Sequence, residues 1–256
     1  MQIRSLAQSV IPVNSIFGLL KRAKIWFFNC VYNPVYDLTT ARLSYYHRLQ
    51  EECISKLGFE DDNMVLCVGV GTGNEILRIL ERGKKVNLVG VDISDTALRR
   101  AYEKTLALGK EIKVLRMDAH GLGFSDEAFD RVLCIHLMDF LDNAKEASQE
   151  ISRVLRRGGQ FVITYPSGDV GFRMVGEIMR NICRNLRSAR LGEVISESLA
   201  VLGAMIVYSP MILLKAPGQN LYSRESLERV FASLGFGNYN IEEDGVYRDI
   251  IAYGVK

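Results

Sequence analysis

The sequence predicts a doubly wound α/β fold, in which helices cover both faces of a mostly parallel sheet. From residue 64 onward, short apolar runs alternate with segments of helical periodicity, which is the pattern of a parallel sheet. Near the end of the chain, two β-rich runs flank Asp244–Gly245, a dipeptide typical of antiparallel hairpins. We therefore expect five parallel strands followed by an antiparallel hairpin, within one domain of 256 residues.

The individual elements follow from the apolar runs and from residues that begin or end helices. The five parallel strands are predicted at residues 64–69, 86–91, 111–117, 131–136 and 160–166. Helices are predicted at residues 75–83, from Ser94 or Asp95 to Gly109, at 143–156 and at 224–234. Gly158–Gly159 predicts a turn before the fifth strand, and the hairpin strands are predicted at residues 238–243 and 246–255.

Two segments lie outside the alternating pattern. Residues 14–30 predict an amphipathic helix whose basic side chains lie away from an apolar face made by Ile16, Leu19, Leu20, Ala23, Trp26 and Phe27. Residues 170–215 form an insertion with a basic first half and an apolar second half. We expect residues 1–256 to be a single domain, with residues 1–50 as a helical lid or membrane-contact segment and residues 170–215 as a helical substrate cap.

The composition narrows the classes of partner and compartment. A net charge of +2, without a basic stripe that carries aromatic residues, gives no indication of nucleic-acid binding. Five scattered cysteines without a Cys-x-x-Cys pair indicate a reducing, cytoplasmic setting, and three dispersed histidines predict no metal site. We expect no secretory signal at residues 1–13 and no membrane span at residues 198–214, which Ser209–Pro210 interrupts. The sequence does not predict the oligomeric state.

The glycine-rich segment VLCVGVGTGNE, residues 65–75, predicts a nucleoside-binding loop. A phosphate-binding loop of the Walker type needs lysine and serine or threonine after its last glycine, where this chain has Asn74–Glu75. A dinucleotide fingerprint needs a glycine at the position of Asn74, and Glu75 would repel a pyrophosphate. The loop therefore favours an adenosine cofactor without phosphate, such as S-adenosylmethionine.

Two aspartates support this cofactor. Asp92 ends the second strand in VGVDIS, about twenty residues after the glycines, where a carboxylate binds ribose hydroxyls. Asp118 follows the third strand in RMDAH, where a carboxylate can accept a hydrogen bond from an adenine amino group.

With these motifs in the same order and spacing, the chain resembles the class I S-adenosylmethionine-dependent methyltransferases, in particular the ubiquinone/menaquinone C-methyltransferase-like (methyltransferase type 11) group. The resemblance covers residues 31–166, and residues 221–256 more loosely. It is carried by VYNPVYD, VGVGTGNE, VGVDIS, RMDAHGLGFSDEAFDRVLCIHLMDFLDN and EISRVLRRGGQFVIT. It implies a seven-stranded Rossmann-like fold and cofactor contacts from Gly69, Gly71, Gly73, Asp92, Ile93, Asp118, Ala119, Ile135, His136 and Tyr36.

The chain departs from this group at one position. The group has aspartate or glutamate two residues before the first glycine, where the carboxylate helps to hold the methionine ammonium, and this chain has Cys67. A thiol carries little negative charge at neutral pH. Either Glu75 or Asp37 takes this role, or the affinity for the cofactor is reduced, or the chemistry is altered.

Methyl transfer is an in-line displacement that depends mainly on positioning, so no catalytic triad is expected. His47, His136, Asp139 and Tyr165 are the candidate residues on the acceptor side. The basic amphipathic start and the apolar insertion favour a hydrophobic small-molecule acceptor, such as a quinone, isoprenoid or lipid, met at a membrane surface. The alternatives are a non-catalytic or altered-chemistry S-adenosylmethionine-binding protein and an NAD(P)-dependent reductase, although no tyrosine stands in a Tyr-x-x-x-Lys pair.

Overall fold

A computed structural model describes residues 16–40, 44–166, 179–180, 182–188, 190–196, 198–199, 202–203, 222–244 and 249–256. In this part of the chain, seven strands form one sheet in the order β3-β2-β1-β4-β5-β7-β6. The strands are β1 Met64–Val68, β2 Asn87–Asp92, β3 Lys113–Arg116, β4 Phe129–Cys134, β5 Leu155–Tyr165, β6 Asn238–Glu243 and β7 Ile250–Val255. The first five pair in parallel, and β7 is antiparallel to β5 and β6, which confirms the predicted mixed sheet.

Helices flank the sheet and also precede it. They are α1 Ile16–Phe27, α2 Asn33–Thr40, α3 Ser44–Ser55, α4 Asn74–Glu81, α5 Asp95–Ala107, α6 Ala144–Val154 and α7 Arg224–Ser233. A π-helical segment, Phe28–Tyr32, joins α1 to α2. Ser94 rather than Asp95 caps α5, because the Ser94 hydroxyl accepts a hydrogen bond from the backbone N–H of Ala97.

The predicted turn at Gly158–Gly159 is wrong. The chain passes directly from α6 into β5 at Leu155, so the strand begins five residues before its predicted start. Gly158 has a φ of 74° and marks a bulge, across which the register with β4 shifts from Phe129↔Leu155 to Arg131↔Gln160. The glycine pair therefore bends a strand instead of ending a loop.

Strand alternation divides the core into two layers. Leu66 and Val68 of β1 face the cluster that includes Phe161 and Phe231, under α6 and α7. Val65 and Cys67 face the opposite cluster, under α3, α4 and α5. Because successive side chains of a strand point to opposite faces, the position of Cys67 within β1 is enough to place its thiol under these helices.

The predicted N-terminal helix is present as α1, but its apolar face is only partly buried. Phe27 is buried and packs with Tyr32 and Phe140, but Trp26 is 63% exposed and Leu19 is 57% exposed. Leu19, Ala23 and Trp26 follow one another at i, i+4 and i+7, so they share a stripe, whereas Phe27 lies about 100° further round the helix. The side chains of Ile16 and Leu20 lie outside the described set.

Parts of the insertion after β5 are described. Residues 182–187 and 191–196 are helical, and Ile182 packs against the cluster that contains Cys67. Most of the apolar run at residues 198–214 lies outside the described residues. No helix among those described is both long and apolar enough to cross a membrane.

Candidate active site

A cavity opens at the carboxyl edge of the sheet, next to β1 and β4. The order of the strands reverses between these two, which is the point where open α/β sheets bind ligands. The glycine loop, the ends of β2 and β4, the loop after β3 and the N-terminal helices enclose it. The lining is Ile25, Phe28, Tyr32, Asn33, Tyr36, Tyr46, Gly69, Val70, Gly71, Thr72, Glu75, Asp92, Ile93, Ser94, Asp118, His120, Ile135, His136, Leu137, Phe140, Leu141 and Asp142.

The glycines of the loop have two different roles. Gly69, Gly71 and Gly73 have φ values of 69°, 52° and 84°, a region that residues with a Cβ rarely adopt. A Cβ on Gly71 would meet no atom within 4 Å, so its backbone is open to a ligand in the cavity. A Cβ on Gly73 would stand 2.8 Å from the Cβ of Ala101. Gly73 therefore serves the contact between α4 and α5 and lies outside the cavity lining.

Asp92 is held at the end of β2 by the backbone. One carboxylate oxygen accepts the N–H of Gly71 and the other accepts the N–H of Ser94, both at 2.9 Å. Burial raises the pKa of Asp92, while these two hydrogen bonds favour the charged form. Since each carboxylate oxygen has a second lone pair, Asp92 can still accept hydrogen bonds from two hydroxyls of a ligand.

Asp118 follows β3 and contacts His120, which also lines the cavity. Its Oδ1 accepts the backbone N–H of His120 at 3.1 Å and lies 2.7 Å from the Nδ1 of that ring. Ala119 lies in the hydrophobic core and outside the lining, so the structure provides no direct contact from this predicted residue.

The charge of the lining distinguishes between cofactors. Among the described residues that line the cavity, the acidic ones are Glu75, Asp92, Asp118 and Asp142, and none is lysine or arginine. A pyrophosphate would meet negative charge here, whereas a sulfonium and an ammonium would be attracted. With four carboxylates against the positive charge of His136, the lining fits S-adenosylmethionine better than a dinucleotide.

Glu75 lies at the start of α4 within a network of neutral groups. Its Oε1 accepts hydrogen bonds from the Gln50 amide at 2.7 Å and the Tyr46 hydroxyl at 3.2 Å, and Tyr46 is also hydrogen-bonded to the Tyr36 hydroxyl. Burial raises the pKa of Glu75, although these donors lower it. Cys67 is 2% exposed, and burial raises the pKa of its thiol, so Cys67 stays neutral.

His136, one of the predicted acceptor-side candidates, lines the cavity and contacts residues distant in sequence. It follows β4 with a φ of 53°, and its ring stacks on Tyr46 with centroids 5.4 Å apart. Its Nδ1 lies 3.2 Å from Asp249 at the start of β7 and 3.8 Å from Asp139. Burial by itself lowers the pKa of His136, but Asp249 and Asp139 outweigh burial and raise this pKa to about 9.

The other acceptor-side candidates lie away from the lining. Tyr165 is 1% exposed in the core, where its hydroxyl is 2.8 Å from the Ser148 hydroxyl. The Nδ1 of His47 is 2.5 Å from an Arg78 nitrogen on the outer side of α4. Asp139 contacts His136 but does not itself line the cavity. Among the described residues, no group of three or more histidine, cysteine or acidic side chains could hold a metal ion.

Sequence reasoning missed, among others, Tyr46, which lines the cavity, and Asp249, which contacts His136. Tyr46 lies on α3, for which no strand or glycine motif gave a signal. Asp249 stands 113 positions after His136, and only the antiparallel placement of β7 beside β5 brings the two together. No local pattern identifies such a pair.

Comparison with known proteins finds similarity to methyltransferases. Residues 66–163 match a family model described as a methyltransferase domain. The chain is 42% identical over 101 residues to a phosphatidylethanolamine N-methyltransferase of Cereibacter sphaeroides, over 39% of this chain and 48% of that protein. It is 33% identical over 133 residues to a demethylmenaquinone methyltransferase of Thermus thermophilus, over 51% of this chain and 60% of that protein. The chain thus spans less than two thirds of the length of these curated relatives.

A solved structure extends the likeness to most of the fold. A putative S-adenosylmethionine-dependent methyltransferase from Methanococcus maripaludis superimposes with a TM-score of 0.53 at 16% identity. The superposition covers 94% of this chain and 92% of that chain. At this identity, the likeness shows the shared fold alone.

Proposed function

We propose that this chain is a class I S-adenosylmethionine-dependent methyltransferase that transfers a methyl group to a lipophilic small-molecule acceptor. The match of residues 66–163 to a methyltransferase-domain model supports this proposal. The observation that carries the proposal is the cavity at the strand-order reversal, whose described lining has four acidic residues and neither lysine nor arginine. That lining suits a cationic, phosphate-free adenosine cofactor.

The chain's own residues would hold the cofactor along this edge of the sheet. Asp92 would accept the ribose hydroxyls, since its backbone bonds fix both carboxylate oxygens. Asp118 would accept the adenine amino group, and the open backbone at Gly71 would admit the cofactor closely. Ile93, Ile135 and Leu137 give the lining apolar surface, while Gly73 and Ala119 act through packing.

The chemistry that S-adenosylmethionine supplies is a methyl carbon activated by positively charged sulfur. The protein then needs to hold the acceptor in line and keep water out, which by itself provides a large acceleration. Ile25 and Phe28 from the N-terminal helices and Phe140 from the loop after β4 add an apolar wall. We propose that residues 1–50 act as a lid and residues 170–215 as a substrate cap of one domain.

The acceptor is proposed to be a lipid, quinone or isoprenoid met at a membrane surface. The relatives named above are a phosphatidylethanolamine and a demethylmenaquinone methyltransferase, which act on lipophilic molecules. Leu19 and Trp26 expose a large apolar area on α1 beside Arg22, which is also exposed. A basic helix with an exposed apolar stripe fits an anionic membrane surface, and Ile25 of the same helix lines the cavity. The proposal includes a cytoplasmic location, in keeping with five scattered cysteines that form no Cys-x-x-Cys pair.

The cofactor half of the proposal is tested by calorimetric titration with S-adenosylhomocysteine and with NADH. We expect S-adenosylhomocysteine to bind and NADH to give no heat. Asp92→Asn should weaken S-adenosylhomocysteine binding at least tenfold, because a ribose hydroxyl loses a charged acceptor. Asp95→Asn is the matched control, since Asp95 is exposed and pairs with Arg116 outside the cavity. Binding of NADH in place of S-adenosylhomocysteine would favour a reductase instead.

The membrane half is tested with the fluorescence of Trp26, the only tryptophan in the chain. Vesicles that contain anionic lipid should shift its emission to shorter wavelength, and vesicles of neutral lipid should not. Leu19→Asn should reduce this shift, whereas Leu106→Asn, on an exposed position of α5, should leave it unchanged. An emission spectrum that is indifferent to anionic vesicles would contradict membrane contact through α1.

A second candidate is a protein that binds S-adenosylmethionine without transferring its methyl group. The specific observation in its favour is Cys67, a buried neutral thiol at the position where the resembled group has an acid. Such a protein would bind S-adenosylhomocysteine weakly and turn over none of the lipophilic acceptors.

A further inference from the structure

The carboxylate of Glu75 lies in the cavity wall and accepts its side-chain hydrogen bonds from neutral groups. The donors are an amide and a phenol, from Gln50 and Tyr46. Among the described residues, no lysine or arginine forms an ion pair with Glu75. The charge of His136 also favours the Glu75 carboxylate, but burial outweighs it and raises the Glu75 pKa. A positively charged ligand group in hydrogen-bonding contact would offset the remaining cost of burial.

The environment of Glu75 differs from that of Asp37 and Asp92, the other acids that could bind a positively charged ligand group. Asp37 is already matched by cations, with Lys104 at 2.8 Å and Arg100 at 3.6 Å, and it also accepts from the Thr72 hydroxyl at 2.5 Å. Asp37 also lies outside the lining of the cavity. Asp92 is held by backbone N–H groups at the end of β2, and its remaining lone pairs are proposed to accept the ribose hydroxyls.

Cys67 contributes no negative charge next to the glycine loop. Its thiol points into the core under α3 and α4, and burial together with the nearby charge of Glu75 raises its pKa above the ordinary value. The glycine loop, by contrast, shares the cavity wall with Glu75, so a ligand that follows the loop reaches this carboxylate.

We infer that Glu75 binds the α-ammonium group of the cofactor and so determines the preference of the site for an adenosyl compound that carries the amino-acid part. The inference rests on the proposed function, because it assumes that an S-adenosyl compound occupies the cavity. Tyr46 and Gln50 act as positioning residues that hold the carboxylate in one orientation.

The test compares two ligands that differ by the amino-acid part. S-adenosylhomocysteine carries the ammonium group, and methylthioadenosine has the same nucleoside without it. In calorimetric titrations, Glu75→Gln should weaken binding of S-adenosylhomocysteine roughly 10- to 100-fold, because a charge-assisted contact is lost. Binding of methylthioadenosine should stay within about twofold of wild type, which also shows that the variant is folded.

Asp37→Asn is the control for a carboxylate near the loop that does not touch the ligand. It should leave the ratio of the two affinities at the wild-type value, even if both affinities change together. The inference is overturned if Glu75→Gln keeps the wild-type ratio, or if Asp37→Asn changes the ratio instead. If wild type binds neither ligand, the proposed function itself fails, which is a different result from an unchanged ratio.

Discussion

At the scale of single residues, the acids around His136 set its charge. Asp249 and Asp139 lie on its Nδ1 side, and Glu75 adds negative charge through the cavity. A histidine with a pKa of about 9 is an imidazolium at neutral pH. His136 is therefore a fixed positive group at the wall, and a poor general base unless ligand binding lowers its pKa.

This charge predicts a pH dependence of stability. The folded-state pKa of His136 is raised, so its contribution is fully present below about pH 6.5, the pKa of an unfolded histidine, and is lost as the pH rises through about 9. Asp249→Asn should lower the His136 pKa, because less negative charge then opposes the effect of burial. Titration of the histidine C–H signals by nuclear magnetic resonance measures this directly.

The signal can be assigned because the chain has three histidines. His47→Gln serves as the control, since His47 contacts Arg78 outside the cavity and its loss should leave the His136 curve in place. A wild-type His136 that titrates near pH 6.5 would contradict the ion pair with Asp249.

At the scale of elements, two glycines of the loop have different roles, one in helix packing and one in the proposed contact with a ligand. Gly73 begins α4 against Ala101 of α5, and Gly71 faces open space in the cavity. The two positions share a positive φ, so an alanine at either one carries a similar backbone penalty of about 1 kcal/mol. Only the Cβ at position 73 must also push two helices apart.

We therefore expect Gly73→Ala to lower the free energy of unfolding by roughly 2–4 kcal/mol, from backbone strain and overpacking together. Gly71→Ala should cost about 1 kcal/mol of stability and should reduce S-adenosylhomocysteine affinity more than its stability loss explains. Urea unfolding of both variants, followed by titration, measures the two effects. Equal stability losses would show that α4 can shift away from α5 without cost.

At the scale of the whole molecule, the N-terminal helices and the edge of the sheet together form the walls of the cavity. Tyr32, Asn33 and Tyr36 close the cavity over the ends of β1 and β2, and the Asn33 amide donates to the Ser94 hydroxyl at 2.7 Å. The same segment exposes Trp26 away from the core. One short region thus covers the cofactor cavity and presents an apolar surface outward.

Removal of residues 1–30 should therefore abolish binding to anionic vesicles and reduce turnover of a lipophilic acceptor at least tenfold. The fold of the sheet should survive, because the strands pair without this segment. Circular dichroism checks the fold, vesicle sedimentation checks the membrane contact, and a methyl-transfer assay in detergent checks the lid. Unchanged turnover by the truncated protein would rule out a role for this segment in lipid access.

The sequence by itself determined the sheet and the positions of Asp92, Asp118 and the glycine loop. These features depend on local periodicity and on strand ends, which a linear pattern records. The sequence showed that Cys67 departs from the resembled group. That its thiol points away from the cavity follows from the alternation of side chains along β1. The sequence also predicted an amphipathic N-terminal helix, but it did not show that Phe27 is buried while Trp26 is exposed.

Only the tertiary structure decided which residues share the cavity. Asp249 reaches His136 because β7 pairs beside β5, and Tyr46 reaches Glu75 because α3 packs against α4. In the structure, Gly73 and Ala119 lie outside the cavity lining, and Tyr165 lies in the core. Contacts between distant segments arise when strands pair and helices pack, and no periodicity along the chain encodes them.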